Sequence, residues 1–186
     1  MGEALDGLRS ELRDLIVARH DFPIWTEWGV DDESLAMHSI GLTYLVTVGQ
    51  RLGYVAVADY PVAHHEIRAD AVWWRRESRE PVAYFEFERH KDGNELRAKV
   101  RNLMKAWHLA DQKPELLVLV FWAKRYFPVV ASTISELWSD VDRGYADSDR
   151  RSFPPLPAGV LRIFECLHTN RGDKLVLKRF VEHVRS

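Results

Sequence analysis

Two glutamates, Glu86 and Glu88, stand two residues apart in the stretch VAYFEFERH, residues 82–90. The residues around them are those of a buried strand. Side chains alternate across a strand, so Ala83, Phe85 and Phe87 share one face. Tyr84, Glu86, Glu88 and His90 share the other. The backbone positions of the two glutamates are then about 6.5–7 Å apart. Like charges at that spacing repel unless a cation or water lies between them. A third carboxylate, Asp70, sits in the apolar run IRADAVW, sixteen residues before Glu86. Two strands joined by a short polar connection, RRESRE, form an antiparallel hairpin, which puts Asp70 opposite Glu86. Hard oxygen ligands gathered in this way suit Mg2+ or Mn2+. An ion so held can activate water and stabilise charge on a phosphate.

The flanking elements follow from periodicity. Leu5, Leu8, Leu12, Leu15 and Ile16 recur at helical spacing and predict a helix over 3–19. Pro23 breaks the pattern, and the acidic DDES stretch opens a second helix at about 33–52. The period then shortens. Strands are expected over 54–62, 66–74 and 81–90, and KDGN (91–94) reads as a turn. Leu96, Val100, Leu103, Trp107 and Ala110 form the apolar stripe of a helix over 95–110. The run ELLVLVFW (115–122) has the pattern of a strand covered on both faces. Beyond it, 129–141 has a helical pattern, 142–157 is a polar proline-containing loop, and 160–168 reads as a strand. Residues 170–184 fit either a hairpin completion or a short helix. The expected fold is α/β, one domain with a central mixed β-sheet flanked by helices.

The segment RAD, fifteen residues, EFE, then a helix containing ELRAKVRNL resembles the core of the PD-(D/E)XK, or restriction-endonuclease-like, nucleases. Their helix–strand–strand–strand–helix–strand order is similar to that expected over residues 33–122. The resemblance implies that Asp70 and Glu86 ligate the metal, that the backbone carbonyl of Phe87 adds a ligand, and that the substrate is a DNA phosphodiester. It also implies that a polar residue of the first core helix, Glu33 or His38, stands beside the site. The family usually has lysine where this chain has Glu88. Glu88 can act as base or second ligand, or the lysine's duty can fall to Lys99, about 70° from the centre of the apolar stripe of its helix. Lys91 is nearer in sequence but lies in the expected turn. His90 shares the face of the glutamates and is a weaker candidate. A catalytically inactive nucleic-acid-binding or assembly module on the same fold is the alternative. Double-strand cutting by such cores commonly needs two sites, so a homodimer is a further expectation.

Arg97, Arg101, Lys105 and His108 fall within one sector of about 80° on the same helix. That stripe can meet backbone phosphates, or it can be a solvated face. The chain as a whole is not basic, with formal net charge −2 and pI about 6.4, so any polyanion needs a local basic surface. Cys166 is the only cysteine, which excludes an intrachain disulfide and fits a reducing, cytoplasmic setting. No apolar run reaches the roughly 18 residues of a membrane span. His64, His65 and Glu66 are adjacent and point to opposite faces, which disfavours zinc. Asp140, Asp142, Asp147 and Asp149 do not have EF-hand spacing. There is no glycine-rich phosphate loop and no G-x-S-x-G elbow.

Overall fold

The computed structural model describes residues 2–31, 34–64, 66–123 and 131–185. The stripe expected to form a single first helix forms two, α1 (Gly2–Asp14) and α2 (Ile16–Asp21). Leu15 between them takes a left-handed conformation, φ 56°. Glu11 on α1 explains the break. Its buried carboxylate accepts from the amides of Val17 and Ala18 and from the Tyr44 hydroxyl. The free amides at the start of α2 are thus satisfied by a carboxylate from the preceding helix, as an N-cap would satisfy them.

A π-helical turn over Ile24–Trp28 leads to β1 (Val30–Asp31), then α3 (Ser34–Arg51). The three expected strands are β2 (Val55–Val62), β3 (Ile67–Trp74) and β4 (Pro81–His90). Helix α4 (Gly93–Leu109) starts two residues earlier than its apolar stripe suggests. Asp92, read as part of a turn, is its N-cap and accepts from the amides of Asn94 and Glu95. Strand β5 (Leu116–Ala123) and helix α5 (Ala131–Arg143) follow. The loop expected over 142–157 contains a small hairpin, β6 (Tyr145–Ala146) with β7 (Ser152–Phe153). The chain closes with β8 (Leu161–Arg171) and β9 (Lys174–Glu182), an antiparallel hairpin, so the residues after 170 form a strand and not a helix.

The main sheet has seven strands in the order β1-β9-β8-β5-β4-β3-β2. Strands β4, β5 and β8 run parallel at its centre, and antiparallel pairs flank them. The molecule is therefore α/β with a mixed sheet and helices on both faces. One core packs α1, α2 and α3 on one face, with Trp73, Phe85, Phe87 and Trp122 at its centre. The other packs α4 and α5 against Val72, Tyr84, Leu117, Leu119 and Phe121. Every residue of β5 before Ala123 is buried, as its uninterrupted apolar run requires. Helix α3 lies close to the sheet. A Cβ added at Gly41 would come within 2.2 Å of the Phe87 ring. Among the described residues no helix is long and apolar enough to cross a membrane.

Candidate active site

Strand β4 brings its two faces to different helices, and this decides the setting of the glutamates. Phe85 and Phe87 pack under α3, while Tyr84 packs under α4. The glutamate face is thus not open to water. It is covered by α4, and Glu86 is 1% exposed. Residue Lys99 of α4 lies over it, with Nζ 2.7 Å from Glu86 Oε2 and 3.5 Å from Glu88 Oε2. The other carboxylate oxygen, Glu86 Oε1, is buried with no hydrogen-bond partner.

Asp70 reaches the same place by a departure from the ladder. The β3–β4 register runs from Trp74 and Pro81 to Ala71 opposite Phe85. Asp70 would pair next, opposite Glu86. Instead its carboxylate Oδ2 accepts from the Phe87 amide at 2.8 Å. A side chain therefore satisfies the amide that a continuing ladder would have used. His38, on α3, approaches from the opposite face, with Nε2 3.4 Å from Asp70 Oδ2 and its ring 6.3 Å from that of Phe87.

The electrostatics separate the two acids. Burial pushes Glu86 up to about 8; the charge of Asp70 and a hydrogen bond that the protonated acid makes to Asp70 add to this, and Lys99 opposes it. Burial opposes ionisation of Asp70 as well. The hydrogen bonds from His38 and the Phe87 amide, with the charge of Lys99, outweigh it and hold Asp70 below the usual carboxylate range. Burial likewise works against the Lys99 ammonium, but Glu86, Asp70 and Glu88 keep it above the usual lysine range. Two neighbouring acids with pKa values driven apart are a common mark of a chemical site.

The donors suit a hard divalent ion, since both are carboxylates and one has a buried oxygen left without a partner. Among the described residues no group of three or more His, Cys, Asp or Glu side chains gathers as a metal site. Asp70 and Glu86 are a pair, with Glu88 held to the side by Lys99.

The remaining expected residues are placed as follows. Glu33 lies outside the described residues. His90 is 6% exposed, its Nδ1 has no hydrogen-bond partner, and its ring meets Phe121 at 6.4 Å. Lys91 pairs with Glu95 at 3.3 Å, away from the acids. The α4 stripe is not an open basic face. Arg97 and Arg101 both bind the buried Asp140 of α5, at 2.6 and 2.7 Å. Lys105 pairs with Glu66 at 3.1 Å, and His108 Nε2 lies 2.8 Å from the carbonyl of Pro154. Asp59 was not singled out by the sequence. It occupies the β2 position between Ala58, opposite Ala71, and Tyr60, opposite Ala69, which sets it across from Asp70. Its φ is 51°, and it pairs with Arg68 at 2.7 Å. An aspartate inside the β-branched run YVAVADYPV was the available signal. No family model, curated protein or solved structure matches the chain.

Proposed function

We propose that this chain is a divalent-metal-dependent nuclease with a restriction-endonuclease-like core, hydrolysing DNA phosphodiester bonds. The observation that carries the reading is Glu86, a fully buried acid with one orphaned oxygen, set beside an Asp70 that stays ionised. Lys99 compensates Oε2, and a divalent ion at the bare Oε1 would meet the remaining cost of an ionised, buried Glu86. The order α3-β2-β3-β4-α4-β5 supports the family likeness. The position of Lys99 supports the idea that α4 supplies the lysine that the family usually carries where Glu88 stands.

In this reading Asp70 and Glu86 hold Mg2+ or Mn2+, with the Phe87 carbonyl as a further donor. When bound, such an ion supplies Lewis-acid polarisation of a phosphoryl oxygen. The chain's own residues do the rest. Lys99 Nζ orients the attacking water and offsets charge on the phosphate. Glu88, half-buried and 3.5 Å from that ammonium, accepts the water's proton. His38 keeps Asp70 in place through their 3.4 Å contact. The water oxygen bonds to phosphorus, the phosphorus bond to the leaving oxygen breaks, and the leaving oxygen takes a proton from solvent.

The test is plasmid nicking. Purified protein with Mn2+ or Mg2+ converts supercoiled plasmid to open circles, and Asp70→Ala abolishes this. Cleavage that survives both Asp70→Ala and Glu86→Ala contradicts the assignment. DNA binding without cleavage in either metal supports the inactive nucleic-acid-binding module instead.

A further inference from the structure

A chain with net charge −2 needs a local cationic surface to hold a polyanion. The α4 stripe does not offer one, since Arg97, Arg101 and Lys105 are tied to Asp140 and Glu66. Arg76 and Arg79 differ. Both are exposed in the β3–β4 connection, and among the described residues neither has an acidic partner within ion-pair distance. Glu77 and Glu80 share this connection, but among the described residues neither forms an ion pair with either arginine, and Glu80 accepts from the Ser78 hydroxyl.

These two arginines border a groove of about 450 Å³ whose floor is Val55, Val57, Tyr60 and Trp74. Val55 and Tyr60 are 39% and 44% exposed, high for large apolar residues on a sheet. Tyr60 and Trp74 meet edge to face at 4.8 Å. Strand β2 is the sheet's edge, so the groove is open on that side. A second hollow of about 410 Å³ shares Trp74 and Arg79 with it and is bordered by Tyr84, His64, Asp111 and Gln112. By strand alternation Asp70, Val72 and Trp74 project from one side of β3, so the groove shares a face with the acids, about 13 Å from Asp70 along the strand.

We propose that this groove binds a single nucleic-acid strand, stacking unpaired bases on Tyr60 and Trp74 and pairing its phosphates with Arg76 and Arg79. Aromatic faces beside unpaired arginines are the chemistry of sequence-tolerant single-strand binding. A duplex keeps its bases stacked inside and cannot offer them to Tyr60. The inference rests on the chain acting on nucleic acid, but it requires no cleavage.

The test is fluorescence anisotropy with a labelled oligothymidylate of about 15 nucleotides, in EDTA so that no hydrolysis occurs. Arg79 has φ 59°, so Arg79→Gly removes the guanidinium at a position where glycine is the easier residue. Arg76→Ala together with Arg79→Gly is expected to weaken binding about tenfold or more and to flatten the log Kd against log salt slope by about 1.4, from about 0.7 per lost phosphate contact. Tyr60→Ala is expected to cost about fivefold or more, from the loss of one stacked base. Arg19→Ala, an exposed arginine on α2, leaves binding unchanged. Equal binding by the wild type and the double variant, tighter binding of a duplex of the same length, or no binding by the wild type overturns the proposal. Binding that depends on the groove, with no nicking in Mn2+, upholds the groove and refutes the nuclease.

Discussion

Glu86→Gln replaces a buried acid with a neutral isostere, and the two proteins are expected to respond to pH in different ways. In the native protein burial holds Glu86 protonated up to about 8, whereas in the unfolded chain it ionises near 4.5. Between those values the native state carries a proton that the unfolded state has lost. Unfolding therefore releases a proton, and stability falls as pH rises through the window. Below about 4.5 the contribution is flat, and above about 8 the full loss has been incurred. At about 1.4 kcal/mol per pH unit, that window corresponds to a loss of about 2–5 kcal/mol between pH 5 and pH 9. Lys99 does not confuse the comparison, since it is held above the usual lysine range and stays charged throughout. Urea unfolding in EDTA at pH 5, 7 and 9 reads the effect as the difference between wild type and Glu86→Gln. The variant is expected to gain on the wild type steadily as pH rises, and to be the more stable protein at pH 9. Adding Mn2+ at pH 9 is expected to restore the wild type and leave the variant unmoved. Parallel pH profiles in EDTA would show that Glu86 ionises normally and that the buried, orphaned carboxylate is not a feature of the folded protein.

Other perturbations address separate parts of the structure. Lys99→Met is expected to lower Mn2+-dependent nicking about 100-fold or more, the usual scale for a lost proton-transfer or water-orienting group, with circular dichroism unchanged; full activity would remove Lys99 from the chemistry. Gly41→Ala drives a methyl group into the Phe87 ring, 2.2 Å away, and is expected to cost about 1–3 kcal/mol in urea unfolding by overpacking. Asp140→Ala leaves Arg97 and Arg101 without their shared partner and is expected to destabilise by about 2–4 kcal/mol; a variant of wild-type stability would mean that the triad does not form. His168 accepts from Trp25 Nε1 at 3.0 Å, and burial lowers its pKa to about 4. The unfolded chain protonates it near 6.5, so this contribution is complete above 6.5 and is lost as pH falls towards 4, about 3–4 kcal/mol in all. His168→Gln should remove that acid-side slope in thermal melts.

Much of the scaffold was legible because its elements carry clear periods. The uninterrupted apolar run of β5 marked a strand buried on both faces, and the stripe from Leu96 to Ala110 marked α4. Asp70 and Glu86 stood out as charges inside apolar runs, and Lys99 stood out by its place at the edge of its helix's apolar stripe. What escaped the sequence was decided by contacts between distant residues. The break at Leu15 depends on Glu11 turning its carboxylate onto the amides of Val17 and Ala18. A helical period cannot reveal this, since Leu15 and Ile16 both fit the stripe. The glutamate face of β4 is covered by α4 rather than wet, which depends on a crossover and not on local pattern. The arginines of α4 meet Asp140 from a helix some forty residues later, so their spacing looked the same whether free or paired. Asp59 escaped because its place across from Asp70 is set by the β2–β3 pairing register, which no local pattern reveals.

Asp70 and Glu86 are proposed to hold a divalent cation together. Crystals soaked with Mn2+ at pH 8.5 or above, where Glu86 is ionised, test it directly through an anomalous difference map at the manganese edge. One strong peak is expected between the Asp70 and Glu86 carboxylates, absent from Asp70→Ala crystals soaked in the same way. A map with no peak there, or with manganese bound only to other carboxylates such as Asp142 or Asp149, would contradict it.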